Sequence, residues 1–488
     1  MAKSEIINKA IEKYKNLPMG TKAAVAYTFA NLMQKAINVL VVPLYTRLLT
    51  TAEYGTYSVF ISWMELFEIV VTFRLFYGAY VVGLVKFEDD RECYTSSLET
   101  LSAIITTVFL LIYIVFQNPI NNLTDLTTAL TLLMFLMMYA IPVVGFWKAW
   151  ERVDNKYVSV VILTFALSFF TPLFGILGIR LMANKANAII YARVGIEIAI
   201  AIFILIRFKR RFFEKTKLRY WKYALKMNVP LLPYYLSTIV LNHSDRIVIQ
   251  KMVGYSEAGI YSVAYSAAMI MTLFNTSFNS SLQPWLFKQL KKKNYSDIHK
   301  TLNFVLLLVA GVNILLIAVA PEVVTILAPE QYHEAIYIIP PLATSVYVMA
   351  FYQNFVNVEF YYSESKITAV ASIGAAVLNI ILNIAFIPRF GYLAAGYTTL
   401  VSYLIFLGAH YFFAKKVCQK NKCPFSIFDM KTMGKISIFF VGTSIVLTLA
   451  YQTKLLRCAL IIGFLVIVVL NRNKIKTRVS GFLKEKKN

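Results

Sequence analysis

Lys35 and Glu65 are ionisable side chains near the middle of long apolar stretches, and they head a short set of similar residues. The other cations are Lys22, Arg47, Arg74, Arg193 and Arg246, and the other anions are Glu68, Glu197, Asp245 and Glu359. A charge facing lipid costs roughly 2.5–3.5 kcal/mol on insertion scales, so such groups turn to the protein interior or to water, where they mark the paths of substrates and ions. Lys35 and Glu65 are therefore expected in a cavity. Glu65, Glu68 and Asp245 are candidate proton or sodium sites. Lys22, Arg74 and Glu359 are expected near helix ends, reaching for the interface. Arg193 and Glu197 lie four apart on one helical face and either neutralise each other or serve a site. Asp245 and Arg246 are adjacent and point in different directions.

Uncharged polar residues accompany these charges at helical spacing. The first apolar stretch carries Tyr27, Asn31, Gln34, Lys35 and Asn38, and the second Ser58, Ser62, Glu65 and Thr72. The seventh offers Thr238, Asn242, Asp245 and Arg246, and the eighth Ser262, Ser266, Thr272, Asn275 and Asn279. Positions three and four apart share a helix face, so four such faces turned together would line a hydrated cavity.

The elements that must hold these stripes are duplicated. Glu53-Tyr-Gly55-Thr-Tyr57-Ser58-Val59 returns as Glu257-Ala-Gly259-Ile-Tyr261-Ser262-Val263, 204 residues later (257 minus 53). Arg47 and Lys251 precede the two glutamates by the same interval, as do Asn38 and Asn242. Each copy opens an even-numbered span, so the repeat is parallel, with an axis along the membrane normal. The glycines are expected to allow close helix packing and the tyrosines to sit in the interfacial belt with wet hydroxyls, so the heptapeptide is read as marking the fold more than the substrate site.

The chain has 488 residues, of which 58% are hydrophobic and 15% charged, with a mean hydropathy of +0.63. A bilayer crossing needs about 20 apolar residues, and about fourteen spans are expected, near residues 21–48, 55–80, 97–117, 126–148, 157–179, 186–206, 229–250, 257–287, 301–328, 334–360, 367–387, 391–414, 435–451 and 455–471. Bends are expected at Pro43, Pro142, Pro172, Pro230, Pro233, Pro284 and Pro340. The class is all-α polytopic membrane protein. An N-terminal segment (1–20) leads into a first lobe of six spans (21–206), a basic linker (207–228), a second lobe of six (229–414), a loop (415–434), two appended spans (435–471) and a basic tail (472–488).

The net charge of +24 is not a nucleic-acid signal, because the basic residues alternate by loop. With the N-terminus inside, cytoplasmic segments hold about 37 Lys and Arg and outer ones about 7, which places both termini in the cytoplasm. Residues 1–17 are lysine-rich and lack a signal-peptide core; they are either an amphipathic helix on the inner surface or a basic tail. Cys93, Cys418, Cys423 and Cys458 imply no disulfide framework, and no metal site is expected at Cys418 and Cys423. No Gly-rich phosphate loop is present, and His243, His299, His333 and His410 are scattered, so neither ATP hydrolysis nor enzyme chemistry is expected.

Val42-Pro43-Leu-Tyr-Thr-Arg47-Leu48 running to Glu53-Tyr-Gly55-Thr-Tyr57, Ser244-Asp245-Arg246 running to Gly254 and Glu257-Ala-Gly259-Ile-Tyr261, and Pro388-Arg389-Phe-Gly391-Tyr-Leu-Ala-Ala395-Gly396 together resemble the Wzx-type polysaccharide repeat-unit flippases. These belong to the multidrug/oligosaccharidyl-lipid/polysaccharide (MOP) exporter superfamily. The likeness runs over essentially the whole chain. It implies two MATE-like six-helix lobes that move an undecaprenyl-diphosphate-linked oligosaccharide from the inner to the outer leaflet of the bacterial plasma membrane by alternating access. It further implies that Lys35, with Lys22, Arg47, Arg74 and Arg246, compensates the diphosphate. Asn31, Gln34, Asn38, Ser62, Thr238, Asn242, Ser266, Asn275 and Asn279 would then meet sugar hydroxyls. No cofactor is expected; a proton gradient, a sodium gradient or the membrane potential supplies the drive. Lipid-linked oligosaccharide and membrane lipids are the expected partners, with the polymerase and glycosyltransferases of the same pathway. A lipid II flippase or a drug/ion antiporter of the superfamily is the alternative, and a membrane enzyme of polysaccharide assembly the more distant one.

Overall fold

A computed structural model describes residues 18–207 and 216–470. Residues 1–17 of the expected N-terminal segment, residues 208–215 in the first part of the basic linker, and the basic tail fall outside the described residues. Backbone polar groups in a bilayer must be satisfied within the chain, which favours helices. Accordingly, the described residues form eighteen α-helices and short 3-10 turns, with no strand among them. Ten helical stretches are long and apolar enough to cross a membrane, or eleven if Glu330–Tyr337 and Ile339–Tyr361, bent by 45°, count as one. The expected fourteen is not reached by this measure.

The first half comprises α1 (Met19–Leu48), α2 (Thr51–Thr72), α3 (Ala79–Lys86), α4 (Arg91–Val115), α5 (Gln117–Thr124), α6 (Thr128–Val153), α7 (Tyr157–Ile179), α8 (Lys185–Arg207) and α9 (Leu218–Asn228). The second comprises α10 (Leu232–Met252), α11 (Tyr255–Lys292), α12 (Tyr295–Ala318), α13 (Ala320–Leu327), α14 (Ile339–Tyr361), α15 (Ser365–Phe390), α16 (Ala394–Lys420), α17 (Met430–Leu449) and α18 (Lys454–Leu470). Pro43, Pro142, Pro172 and Pro284 lie inside helices as expected. Pro230 instead lies in the 3-10 turn before α10 and Pro233 near the start of α10, where a missing N–H breaks no helical bond, while Pro340, in the first turn of α14, directly follows the 45° bend between Tyr337 and Ile339, as expected.

Two expected spans are interrupted. Residues 301–328 divide into α12 and α13. Residues 55–80 divide into α2 and α3, because Phe73 and Arg74 take left-handed backbone angles (φ 51° and 46°) and Gly78 follows at φ 24°. That costly turn is held by one carboxamide: Asn228 Nδ2 donates to the carbonyls of Phe73 (3.1 Å) and Arg74 (2.9 Å), and its Oδ1 accepts from the Ala79 N–H (3.3 Å). Asn228 ends α9, which docks through Tyr220 against Phe87 and Tyr94 and through Trp221 Nε1 on the Ser97 carbonyl (2.7 Å). At its exposed start, Lys217 Nζ meets Asp90 at 2.6 Å, and that carboxylate holds the ammonium above its ordinary pKa.

The chain divides into two compact units. The first takes the described residues to Leu49 with Val59–Ile239, and the second takes Thr50–Ser58 with the described residues from Val240. The first heptapeptide thus groups, at residues 53–58, with the second copy. Its glutamate closes a capping box: the Thr50 N–H donates to Glu53 Oε2 (2.8 Å) and the Glu53 N–H to Thr50 Oγ1 (3.2 Å).

Candidate functional site

Asp245 on α10 is buried in the second unit, at 1% exposure. Its carboxylate accepts from Asn383 Nδ2 on α15 (2.6 Å), from Thr399 Oγ1 on α16 (2.9 Å) and from the hydroxyl of Tyr261 on α11. Asn379 and Asn383 are four apart on one face of α15, and Asn379 Oδ1 accepts from Asn383 Nδ2 (3.2 Å) and Ser244 Oγ (3.1 Å). Asn379 Nδ2 reaches Thr399 Oγ1 at 3.2 Å, and the Thr398 hydroxyl donates to Asn383 Oδ1. The cluster therefore brings one carboxylate, two carboxamides and several hydroxyls together on four helices.

Arg246 turns away from its neighbour, as adjacent helical positions must. Its Nε donates to Ser262 Oγ (3.0 Å), its Nη1 to the Asn242 carbonyl (2.9 Å), and its guanidinium covers the Tyr265 ring at 4.2 Å. Among the described residues Asp245 hydrogen-bonds to neutral donors alone. A buried carboxylate without a paired cation is stabilised either by taking a proton or by a small cation held among oxygen ligands. A cleft of about 50 Å3 lined by Asn242, Tyr265, Thr272, Ser345, Thr399 and Tyr403 runs alongside, and Thr399 belongs to both cleft and cluster.

The reading of the heptapeptide is corrected here. Tyr261 is fully buried on Asp245 instead of wet at an interface, and Ser262 holds Arg246, so the second heptapeptide contributes to the site. Asn275 is buried in α11, and Asn279 accepts from Asn357 Nδ2 of α14 (2.8 Å). Ser266 is half-buried and donates to its own helix, at the Ser262 carbonyl. Asn242 lines the cleft, its Oδ1 accepting from the Tyr265 hydroxyl (2.9 Å).

In the first unit, Lys35 is half-buried midway along α1 and makes no hydrogen bond or ion pair among the described residues. Asn31 and Asn38 are exposed on the same helix and Gln34 is half-buried, whereas Ser62 on α2 is fully buried and lines no open surface. Lys22 lies in the first turn of α1, and Arg47 in its last, where Nη1 donates to the Pro43 carbonyl (3.0 Å). Thr238 is exposed and donates to the Tyr234 carbonyl (3.0 Å), and Glu65 is half-buried.

Arg74 does not reach for the interface. Its Nε donates to Glu68 Oε2 at 3.0 Å, so Glu68 is ion-paired, whereas Asp245 is met by neutral donors and forms no ion pair among the described residues. Glu197 lies within electrostatic reach of Arg193, as its spacing suggests, and also of Lys148. Glu359 lies near the end of α14 as expected, but it is fully buried and meets His410 Nδ1 at 2.9 Å instead of reaching outward. The polar signals of Asn379, Asn383, Thr398 and Thr399 were present in the sequence but had no counterpart in the first copy to single them out.

A family described as polysaccharide biosynthesis protein matches residues 21–290, more than half of the chain. A protein of the Lsg locus of Haemophilus influenzae is 21% identical over 382 residues, covering 74% of this chain and 89% of that protein. Among solved structures, the lipid II flippase MurJ in an inward closed conformation superposes with a TM-score of 0.67 at 15% identity, over 92% of this chain and 100% of that one. An inward-facing multidrug resistance MATE family transporter of the MOP superfamily gives 0.64 at 12% identity, over 82% and 99%. At such identities the structural likeness concerns the fold.

Proposed function

The chain belongs to the polysaccharide biosynthesis protein family, with the fold of MOP-superfamily transporters, and from that membership we propose that it flips an undecaprenyl-diphosphate-linked oligosaccharide across the bacterial plasma membrane by cation-coupled alternating access. The observation that carries the coupling is the Asp245 carboxylate, buried and met by Asn383, Thr399 and Tyr261 without a paired cation. A proton or a sodium ion neutralises it. Uptake favours the arrangement of α10, α11, α15 and α16 that encloses the carboxylate, and release favours another. A ligand shifts such an equilibrium only as far as its affinities for the two states differ.

Lys35 binds the lipid diphosphate. An unpartnered ammonium on a half-buried helix position gives a diphosphate a charge-assisted contact that offsets part of its lost hydration. Asn31 and Asn38, on the same helix, meet sugar hydroxyls. The polymerase and glycosyltransferases that handle the same lipid-linked sugar supply and consume the cargo.

Replacing Lys35 with alanine, and separately with arginine, in a strain dependent on this chain tests the substrate assignment. The expected result is loss of most surface polysaccharide with Lys35→Ala and partial retention with Lys35→Arg, at equal protein abundance. Wild-type polysaccharide with Lys35→Ala would sink the assignment.

A further inference from the structure

Glu359 on α14 and His410 on α16 are both fully buried, and His410 Nδ1 lies 2.9 Å from each carboxylate oxygen. Thr368 Oγ1 on α15 donates to Glu359 Oε2 at 3.1 Å. Tyr352 stacks on the imidazole (centroids 5.6 Å apart, 17° between planes), and Phe406 and Phe413 present their rings edge-on. His410 Nε2 is buried without a hydrogen-bond partner. Among the described residues, Thr368 of α15 and the Tyr352 ring of α14 face the pair; the charged groups Lys420, at the end of α16, and Glu364, just before α15, pair with each other at 2.7 Å. His410 follows Thr399 by eleven residues on α16, about 16 Å along the helix axis, so this pair is separate from the Asp245 cluster.

Structural polar pairs in protein interiors have their partners complete. This one does not. With the shared proton on the imidazole, Nε2–H is an orphan donor facing an aromatic cage; with the proton on Glu359, Nε2 is an orphan acceptor. The cation-tolerant Tyr352 face favours the first arrangement, while the last turn of α14, where its unpaired carbonyls gather, disfavours the carboxylate and favours the second. Histidine is also the side chain whose charge changes near neutral pH.

We propose that Glu359 and His410 form a second proton-binding site, independent of the Asp245 cluster, whose occupancy sets the packing of α14 against α16. With one proton the pair is net neutral and the two helices close on it. A second proton, or none, leaves a net charge in a buried site and loosens that contact.

The test is nitrogen-15 NMR of histidine-labelled full-length protein in bilayers between about pH 5 and 9, the range in which histidine charge changes; His410 is identified by the signal lost in His410→Gln. The expected result is that the His410 nitrogens change between imidazolium and neutral signals over this range, and that Glu359→Gln displaces that change. Should Glu359→Gln fail to fold, Thr368→Val removes a donor from the carboxylate and shifts the signals toward neutral imidazole while leaving both titrating groups. Asp245→Asn leaves the His410 titration in place, which separates this site from the coupling carboxylate. A His410 locked in one form across the range, or one unmoved by both Glu359→Gln and Thr368→Val, would overturn the proposal.

Discussion

Gly55 and Gly259, equivalent positions of the two heptapeptides, face each other at the starts of α2 and α11. A Cβ on Gly55 would fall 1.7 Å from the Tyr255 carbonyl oxygen, and one on Gly259 would fall 2.2 Å from that of Thr51. Tyr255 is Thr51 plus the same 204 residues that separate the copies (255 minus 51), so each glycine receives the matching backbone of the other copy. Thr51 Oγ1 and Ser256 Oγ, 2.6 Å apart, fasten the contact. The duplication is thus visible as a reciprocal packing surface.

Gly55→Ala and Gly259→Ala each drive a methyl group into rigid backbone, an overpacking of about 1–3 kcal/mol or more. Thermal unfolding of the purified variants is expected to occur several degrees lower than for the wild type. An unchanged midpoint would show that the two helix starts separate freely.

Asn228→Ala removes the three hydrogen bonds that hold the left-handed turn between α2 and α3. Leaving buried backbone groups unpaired costs about 1–3 kcal/mol each. Limited proteolysis is expected to cut near residues 73–78 faster in this variant than in the wild type; equal rates would mean that the turn holds itself.

Cysteines at 31 and 38 on α1 are expected to react with a water-soluble thiol reagent, whereas one at 62 on α2 is protected. Labelling rates in native membranes measure this. Residue 62 reacting as fast as residue 38 would contradict the packing described.

Much of the architecture is legible from one chain because apolar length and the repeated heptapeptide depend on neighbouring residues alone. The helices at 157–179 and 185–207 lie within a residue of where hydropathy puts them. Other features depend on distant partners. Tyr261 reads as an interfacial tyrosine until α10 places Asp245 against it. His410 is one of four scattered histidines until α14 brings Glu359 to it, 51 residues away in sequence. Phe73 and Arg74 carry no mark of a left-handed turn, since the carboxamide that stabilises it comes from Asn228, more than 150 residues later. Asn379 and Asn383 resemble ordinary polar packing between membrane helices, and only their convergence on a carboxylate distinguishes them.

Asp245 is proposed to couple cation movement to transfer of the lipid-linked oligosaccharide. The most direct measurement is transfer of a fluorescent undecaprenyl-diphosphate oligosaccharide across proteoliposomes carrying the full-length protein, with and without an imposed sodium or proton gradient. One of the two gradients is expected to accelerate transfer by the wild type, and neither to accelerate transfer by Asp245→Asn at equal reconstitution. Gradient-driven transfer by Asp245→Asn at the wild-type rate would contradict that coupling.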